Sequence, residues 1–266
     1  MRLLLKLSVN SSNKISLNYN YALSSAIYSL LKFGSPEFSE FLHKIGYKSS
    51  NKTYKLFTFS LKLESTQLFN NHLILKSPKA YLYISSPVIE DCIRNFVIGT
   101  FHKQQIEIYS EFIKTVFNID QAELIPTPAI SEKMYFKMLT PLVLSTHVSN
   151  NDLTERYFLR YNDDINETNR ILNQNLVNKY QAINNHSYSS EGVQIDWDHD
   201  FAIQSIIKGK RLSKKITITK DLDNPIDVIG IFCPFTINGD PELISIGYEC
   251  GFGEKNSMGF GMVYTN

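Results

Sequence analysis

Glycine is concentrated near the C-terminal end of the chain, in the segment GYECGFGEKNSMGFGMVYTN. Gly247, Gly251, Gly253, Gly259 and Gly261 fall within fifteen residues, out of twelve glycines in the whole chain. A dinucleotide loop would need a following helix with further βα units, and a P-loop would need Lys-Ser or Lys-Thr, so both alternatives fail. Successive backbone amides can instead form an anion-binding nest. Residues 251–261, here called the glycine segment, are therefore predicted to contact phosphates, with a plain hairpin turn as the alternative.

A basic segment is the second candidate for phosphate binding. The stretch KGKRLSKKITITK, residues 208–220, contains no acidic residue among its six cations, which are Lys208, Lys210, Arg211, Lys214, Lys215 and Lys220. A solvated hairpin is the ordinary explanation for such a stretch. A nucleic-acid-binding hairpin is the functional one, because it would give a chain of net charge +1 the local basic patch that it otherwise lacks. Lys255 and Arg2 are predicted to extend this track.

Composition limits the class of protein. The chain has 266 residues, 43% hydrophobic and 20% charged, so it can bury real cores and is not disordered. Its three cysteines, Cys92, Cys233 and Cys250, are odd in number and far apart, which favours a reduced cytoplasmic location over a disulfide scaffold. No apolar run reaches transmembrane length, so we expect a soluble protein with no membrane partner.

The first 120 residues predict strand, helix, strand, strand, helix, strand. Leu23, Ala26, Ile27, Leu30 and Leu31 recur with helical spacing in YNYALSSAIYSLLKFG. SPEFSEFLHKIGY predicts a short second helix with Ser35 as N-cap, Pro36 in the first turn and Gly46 past its end. Its apolar stripe consists of Phe38, Phe41, Leu42 and Ile45. YKLFTFSLKLE predicts a strand, HLILKSPKAYLYIS a hairpin broken at Ser77–Pro78, PVIEDCIRNFVIG a helix and QQIEIYSEFIKTVF a strand.

The second half repeats this plan after a seam at ELIPTPAISE, where two prolines interrupt pairing. A strand is predicted in MYFKMLTPLVLST and a helix in DINETNRILNQNLVNKYQAI. Strands are then predicted across 201–207, 215–220 and 228–235, followed by a helix in PELISIGYE and a closing strand in GFGMVYT. The fold class predicted is α+β with two tandem ferredoxin-like (RRM-like) domains, 1–121 and 122–266, each an antiparallel sheet with helices on one face.

The motif GYECGFGEKNSMGFGMV resembles the C-terminal glycine-rich motif of the CRISPR-associated repeat-processing endoribonucleases of the RAMP superfamily. AIYSLLKFG, FLHKIG and YKLFTFSLKL fall in that family's order and spacing, whereas about 65–240 matches in layout more than in letters. The family's two ferredoxin-like domains agree with the plan above. The resemblance implies metal-free cleavage of precursor RNA, in which a 2′-hydroxyl attacks the adjacent phosphorus and leaves a 2′,3′-cyclic phosphate and a 5′-hydroxyl.

By motif position the resemblance points to Tyr28, His43 and Lys55 as catalytic residues. Helical geometry supports two of them. Tyr28 lies about 130° from the centre of its helix's apolar stripe, and His43 lies opposite the stripe of the second helix. Neither is expected in the core, and a histidine exchanges protons near neutral pH. A surface aromatic and a solvated histidine are the bland alternatives.

Lys55 is predicted to open a strand, at the end of a sheet. The functional interpretation is that its charge stabilises the phosphorane; the alternative is a lysine whose stem simply lies along the sheet edge. Lys48 and Lys52, in the preceding loop, are open alternatives for the same role. The RNA-binding residues predicted are Lys208, Lys210, Arg211, Lys214, Lys215, Gly251, Gly253, Lys255, Gly259 and Gly261.

Two other functions stay open at this point. One is a non-catalytic RNA-binding subunit of a CRISPR ribonucleoprotein, and the other is a metal-dependent nuclease built on DWDHD, with Asp196, Asp198, His199 and Asp200. NDDINETN lacks the glycine and the terminal Glu of an EF-hand loop. We therefore expect no cofactor and no metal. The expected partners are CRISPR repeat RNA and subunits of a CRISPR effector complex, with the protein acting as a monomer or homodimer.

Overall fold

The structure, a computed structural model, describes residues 1–50, 52–110, 113–150, 153–219 and 225–265. Lys220 of the basic segment lies outside these residues. Within the described residues, no helix is both long enough and apolar enough to span a bilayer.

The N-terminal half is built on a five-stranded antiparallel sheet. Its helices are α1 (Asn20–Gly34), α2 (Pro36–Lys44) and α3 (Arg94–Lys103), the last preceded by a π-helical turn at Ile89–Ile93. Its strands are β1 (Arg2–Val9), β2 (Lys14–Ser16), β3 (Tyr47–Ser49), β4 (Lys52–Tyr54), β5 (Thr58–Leu63), β6 (Thr66–Phe69), β7 (His72–Leu75), β8 (Lys79–Ser85), β9 (Gln105–Ser110) and β10 (Ile113–Ile125).

The strand order in this sheet is β5-β8-β1-β10-β9. Its first four strands have the ferredoxin-like order, with β8 and β1 at the centre and β5 and β10 on either side of them. β9 is an additional strand at the edge next to β10. Leu3, Leu5 and Leu7 of β1 share one buried core with the apolar stripe of α1. The predicted stripe of α1 is confirmed, since Leu23, Ala26, Ile27, Leu30 and Leu31 are all buried.

The second half repeats the arrangement. Its strands are β11 (Lys133–Met138), β12 (Ser145–Asn150), β13 (Leu153–Phe158), β14 (Val193–Trp197), β15 (Ser213–Ile218), β16 (Ile226–Ile231), β17 (Phe235–Gly239) and β18 (Val263–Tyr264). Its helices are α4 (Ile165–Asn184), α5 (His199–Ile207) and α6 (Pro241–Cys250), with a 3₁₀ turn at Asn256–Met258. The sheet order β14-β17-β11-β18 is again ferredoxin-like, so the predicted fold class is confirmed.

Caps define the helix ends as the sequence predicts at α2. The Ser35 hydroxyl accepts from the amide of Phe38, Pro36 is the first helical residue, and Gly46 takes the positive φ of +67° just beyond the end. One member of the predicted stripe is wrong: Ile45 is 52% exposed. It follows the last residue of the helix, so it no longer obeys the helical spacing that defined the stripe.

Several element predictions are wrong, and each has a local cause. Residues 201–207 lie in helix α5 instead of a strand, because the Asp198 carboxylate caps the helix by accepting from the amide of Phe201. β7 and β8 do not pair with each other: β7 pairs with β2 and β6, whereas β8 joins the main sheet. The single strand predicted across 104–117 consists of two antiparallel strands, β9 and β10.

Several of the described strands were not predicted, among them β2, β3, β4, β6 and β17 as well as β12, β13 and β14. β12 and β13 form an extra hairpin, and β14, with the sequence VQIDW, alternates between buried and exposed side chains as a half-buried strand does. All three cysteines are buried free thiols.

Candidate functional site

Tyr28 and His43 meet between α1 and α2. Their ring centroids are 5.9 Å apart with an interplanar angle of 87°, an edge-to-face contact. His43 is exposed in the last turn of α2. Tyr28 is half-buried, and its other edge contacts Phe57 at 5.6 Å, so it belongs partly to the core, contrary to the sequence prediction. The two rings line an open cavity of about 550 Å³ between the helices.

The Tyr28 hydroxyl is protonated over the whole neutral range. Burial raises the pKa of Tyr28 to about 12, and a side-chain hydrogen bond with Ser257 offsets only part of that effect. A phenol in this state donates a hydrogen bond but is a poor base. Tyr28 is therefore not expected to abstract a proton near neutral pH.

Lys55 lies directly beside His43, but its ammonium group already has partners. Nζ donates to the carbonyl oxygens of Leu42 and His43, the latter at 3.1 Å, and so binds the C-terminal end of α2. Partial burial lowers the pKa of Lys55. The prediction that Lys55 opens a strand is wrong, because β5 begins at Thr58 and Leu56 adopts a positive φ of +50°. Lys48 and Lys52 are both exposed on the β3–β4 hairpin.

The glycine segment connects α6 to β18 and lies between the two halves of the chain. Its 3₁₀ turn contacts α1 and β5: the Asn20 amide donates to the Met258 carbonyl at 2.9 Å, and the Ser24 hydroxyl donates to the Ser257 carbonyl at 2.7 Å. The Thr58 hydroxyl donates to the Phe260 carbonyl at 2.9 Å. The segment thus brings Ser257 to Tyr28 and joins the C-terminal half to the helix that carries a predicted catalytic residue.

The glycines of this segment are required by packing. Gly251, Gly253, Gly259 and Gly261 are buried and have φ between +72° and +88°. A Cβ at Gly261 would lie 1.9 Å from the Phe252 carbonyl oxygen, and one at Gly253 would lie 2.3 Å from the Val143 carbonyl oxygen. Only glycine fits such positions.

The structure restricts which backbone amides of the glycine segment could bind an anion. The amides of Phe252, Glu254, Met258, Gly259 and Gly261 all donate to carbonyl oxygens of the protein. These amides are not directed at a ligand, so a continuous nest along the segment is not present. The predicted RNA contacts of the four glycines stay a prediction.

Lys179 is a functional candidate that the sequence analysis missed. It is 2% exposed, and its ammonium group donates to Gly251 O at 2.6 Å, Gly253 O at 2.7 Å and Asn256 Oδ1 at 2.8 Å. Burial lowers the pKa of Lys179 to about 8. The sequence contains one signal that could have identified Lys179 as buried. It continues the helical spacing of Leu172 and Leu176 on α4, at a position where an apolar residue is expected.

A cleft of about 460 Å³ adjoins the Tyr28–His43 pair on the other side of Lys55. Lys52, Lys55 and Lys255 lie on its N-terminal and glycine-segment sides, whereas His147 and Arg156 come from the β12–β13 hairpin. Ser257 also lines it, and Lys179 forms part of its floor. Burial lowers the pKa of Lys255, Arg156 lowers it further and Glu254 offsets part of the effect. Glu254 also lines the cleft and pairs with Arg156. Such a cleft suits a polyanion.

The basic segment covers the connection from α5 to β15 and one strand of the β15–β16 hairpin. Lys208, Lys210 and Arg211 are exposed in the connection from α5 to β15, and Lys214 and Lys215 begin β15, at the end of the hairpin opposite its turn. Lys215 pairs with Asp227 at 2.8 Å. The hairpin packs on the glycine segment through Val228 and Phe260. No contact places the five cations at the Tyr28–His43 pair within the described residues.

Arg2 does not extend the basic track. Its side chain is 4% exposed, stacks 3.8 Å from the Tyr248 ring centroid and donates to the Tyr248 carbonyl at 3.0 Å. Burial lowers the pKa of Arg2 to about 10. Arg2 therefore links β1 to α6 as a structural residue, and the prediction made for it is wrong.

The DWDHD stretch is occupied by structural contacts. Asp198 Oδ1 accepts from the amide of Phe201, and Oδ2 accepts from the Tyr135 hydroxyl at 2.6 Å. His199 Nδ1 lies 3.2 Å from the Tyr161 hydroxyl. Within the part of the chain that the structure describes, no three His, Cys, Asp or Glu side chains form a group that could hold a metal ion.

Comparison with known proteins decides the family. A family model described as "CRISPR associated protein Cas6, C-terminal" matches residues 125–265, more than half of the chain. This chain belongs to the Cas6 family. A second model, "CRISPR-associated protein Cas6, N-terminal", matches residues 14–117. The recognition made from the glycine-rich motif is thereby confirmed.

Individual Cas6 relatives match from end to end. The chain is 32% identical over 269 residues to "CRISPR-associated endoribonuclease Cas6 1" of Methanocaldococcus jannaschii, covering 99% of this chain and 92% of the relative. A solved structure of a "CRISPR associated protein Cas6" has 29% identity and a TM-score of 0.74, covering 100% of this chain and 99% of the other. The structure "Characterization of a Cas6-related gene from Pyrococcus furiosus" shares the fold, with a TM-score of 0.81, 23% identity and coverage of 100% and 98%.

Proposed function

We propose that this Cas6-family chain is an endoribonuclease that cuts CRISPR precursor RNA within each repeat and so releases guide RNAs. A relative that carries the name CRISPR-associated endoribonuclease is 32% identical over nearly the whole length of both chains. The observation that carries the proposal is the Tyr28–His43 pair, in which an exposed imidazole lies edge-on to a phenol that Ser257 of the glycine segment also contacts.

The reaction proposed is an internal transesterification without a metal cofactor. The 2′-oxygen forms a bond to the neighbouring phosphorus while the bond from phosphorus to the 5′-oxygen breaks. The 2′-hydroxyl loses a proton and the leaving 5′-oxygen gains one, which yields a 2′,3′-cyclic phosphate and a 5′-hydroxyl. His43 transfers these protons, a contribution of about 10²–10⁴-fold for a well-placed acid–base group.

Tyr28 holds the reacting nucleotide as a hydrogen-bond donor. Its pKa of about 12 keeps the hydroxyl protonated, so it can donate to a ribose or phosphate oxygen beside the imidazole. Because its ring contacts both His43 and Phe57, it also fixes the orientation of the histidine.

Lys55 is proposed to stabilise the phosphorane, with Lys48 and Lys52 as alternatives. The contacts of Lys55 with the Leu42 and His43 carbonyls favour a second role for it, in which it fixes the end of α2. Lys52 also lines the adjoining cleft, and it would not have to give up the carbonyl contacts that Lys55 makes. Alanine variants at the three positions would separate the roles: the phosphate-stabilising lysine lowers the cleavage rate at saturating RNA and leaves the unfolding temperature unchanged.

RNA is proposed to run along the glycine segment, through the adjoining cleft and toward the basic segment. Domain 1–121 would then carry the catalytic side chains and domain 122–266 most of the RNA-binding ones. Lys208, Lys210, Arg211, Lys214 and Lys215 would contact phosphates, each adding about 0.7 to the salt slope on single-stranded RNA. The binding of effector-complex subunits, and action as a monomer or a homodimer, belong to the same proposal.

Cleavage of repeat RNA in EDTA tests the proposal. Unmodified RNA should yield a 2′,3′-cyclic phosphate, and RNA with one 2′-deoxy nucleotide before the scissile phosphate should bind with unchanged affinity but stay intact. His43→Ala should lose about 10²–10⁴-fold in rate while it keeps its RNA affinity. Cleavage that vanishes in EDTA, or that is equal in His43→Ala, would overturn the assignment. Tight binding without any cleavage would select the alternative of a non-catalytic RNA-binding subunit.

A further inference from the structure

The cleft beside the Tyr28–His43 pair contains a polar group that protein contacts leave unsatisfied. Asn175, on α4, lines this cleft and is only 6% exposed. Its Oδ1 atom makes no hydrogen bond with any described residue. Buried side-chain oxygens are nearly always paired, and leaving one unpaired is costly. A ligand group that donates a hydrogen bond would remove this cost.

Lys179, another polar residue that lines the cleft, cannot serve that ligand. Lys179 lies one turn beyond Asn175 on α4, and its ammonium group directs hydrogen bonds to three acceptors of the glycine segment. An ammonium group has three donors, so none is left. Two buried polar atoms of the cleft lack a hydrogen-bond partner among the described residues, namely Asn175 Oδ1 and the Tyr54 hydroxyl. The hydroxyl can donate as well as accept, whereas Asn175 Oδ1 can only accept.

The walls of the cleft specify the rest of the ligand. Four cations line the cleft, namely Lys52, Lys55, Arg156 and Lys255. Glu254 also lines it and pairs with Arg156, so the three lysines leave the lining with a positive net charge. A volume of about 460 Å³ falls within the range of small-ligand pockets. An occupant with an anionic group at the opening and an N–H donor at the floor has the chemistry of a nucleotide.

The cleft is also continuous with the proposed catalytic pair. Ser257 lines the cleft and contacts Tyr28, and Lys55 lines it and contacts the His43 carbonyl. A nucleotide bound here would therefore be a close neighbour of the one that is cut.

We propose that this cleft is a subsite for one unpaired RNA nucleotide next to the scissile phosphate, and that Asn175 Oδ1 accepts a hydrogen bond from an amino or imino N–H of its base. This inference rests on the proposed function for the identity of the RNA. It adds a specificity-determining residue, since sequence-specific RNA recognition works on unstacked bases through their hydrogen-bonding edges.

Binding to uncleavable repeat RNA tests the subsite independently of catalysis. Every RNA in the series carries a 2′-deoxy nucleotide before the scissile phosphate, which blocks cleavage. Each RNA except the parent also has one abasic position, at a different nucleotide near the scissile phosphate. For the wild type, one abasic position should weaken binding about fivefold, the value of one hydrogen bond. Asn175→Leu should weaken binding of the parent RNA about fivefold and show no further loss on that abasic RNA. Asn175→Asp keeps an acceptor and should retain the preference for the base.

Stability provides the matched readout. Removing an unsatisfied acceptor should raise the unfolding midpoint of Asn175→Leu by about 2–4 °C, although the variant binds RNA less well. Asn184→Leu, an exposed position on the same helix, should change neither property. Equal weakening by Asn175→Leu on the parent and on every abasic RNA would overturn the subsite. If Asn175→Leu does not fold, a wild-type scan without one sensitive position would overturn the subsite as well. Intact RNA in the cleavage assay, in contrast, counts only against the proposed function.

Discussion

Replacing Lys179 with methionine should destabilise the protein by loosening the glycine segment from α4. The substitution keeps most of the stem and removes the cation that donates to Gly251 O, Gly253 O and Asn256 Oδ1 at 2.6–2.8 Å. These three acceptors have no solvent to replace the ammonium, because Lys179 is 2% exposed. The segment that contacts Tyr28 would therefore lose its attachment to α4, while its backbone contacts with Val143 and Pro141 remain.

The size of the effect follows from two opposing terms. Three hydrogen bonds from a charged donor are each worth about 1.5–3 kcal/mol, or about 4.5–9 kcal/mol together. Burial of the charge costs about 3 kcal/mol, because the pKa of Lys179 falls from its ordinary 10.5 to about 8 and each unit corresponds to 1.36 kcal/mol. The difference predicts a loss of about 1–6 kcal/mol in unfolding free energy, or about 2–24 °C in the unfolding midpoint at about 2–4 °C per kcal/mol.

Calorimetry and denaturant unfolding measure this loss, and RNA cleavage measured on the same samples reports its consequence for the site. Lys62→Met is the matched control, because Lys62 is an exposed lysine of β5 and its replacement should stay within about 0.5 kcal/mol of the wild type. If Lys179→Met is as stable as the wild type, the three hydrogen bonds do not hold the segment and the reasoning is refuted.

Three further outcomes can be checked. The pKa of Lys179 is about 8 in the folded protein and 10.5 in the unfolded chain, so between these values the unfolded chain binds more protons and the contribution of Lys179 to stability rises with pH. The difference in unfolding free energy between wild type and Lys179→Met should therefore widen by about 2 kcal/mol from pH 7 to pH 9.5 in denaturant titrations. A difference that narrows over this range would contradict the lowered pKa. Gly261→Ala should cost about 2–5 kcal/mol, from strain at φ +73° plus its clash, whereas Gly209→Ala, with φ +69° and open space, should cost about 1–2 kcal/mol; equal losses in urea unfolding would mean that the clash relaxes freely. Tyr28→Phe should lower the cleavage rate without changing the shape of the pH–rate profile up to pH 10, because the pKa of Tyr28 is about 12. If the wild type shows an ionisation near neutral pH that is lost in Tyr28→Phe, Tyr28 acts as a base and the prediction is wrong.

The sequence predicts α1 and α2 well because they follow a simple period and have local end signals. The stripe from Leu23 to Leu31 and the cap at Ser35 each arise from local chemistry that a single sequence displays. Residues 201–207 show the opposite case. Phe201, Ile203, Ile206 and Ile207 suggest a strand by composition, but an N-terminal Asp198 cap selects a helix and leaves all four side chains exposed.

The candidate site was predictable only in part. His43 and Tyr28 follow from motif position and lie together, whereas the contacts of Lys55 with the end of α2 depend on tertiary structure. Glycines with positive φ look identical in sequence whether they approach a phosphate or a neighbouring carbonyl, as Gly253 does. Lys179 shows a further limit, because a lysine in an apolar stripe has meaning only once its acceptors are known.

The position of the glycine segment also determines when the site can be assembled during synthesis. N-terminal domains generally fold first as the chain leaves the ribosome. The N-terminal sheet on which the helices of Tyr28 and His43 pack is complete once β10 has emerged, but residues 251–261 follow every other element that lines the cleft. A nascent chain would thus hold Tyr28 and His43 together before the glycine segment could pack against them.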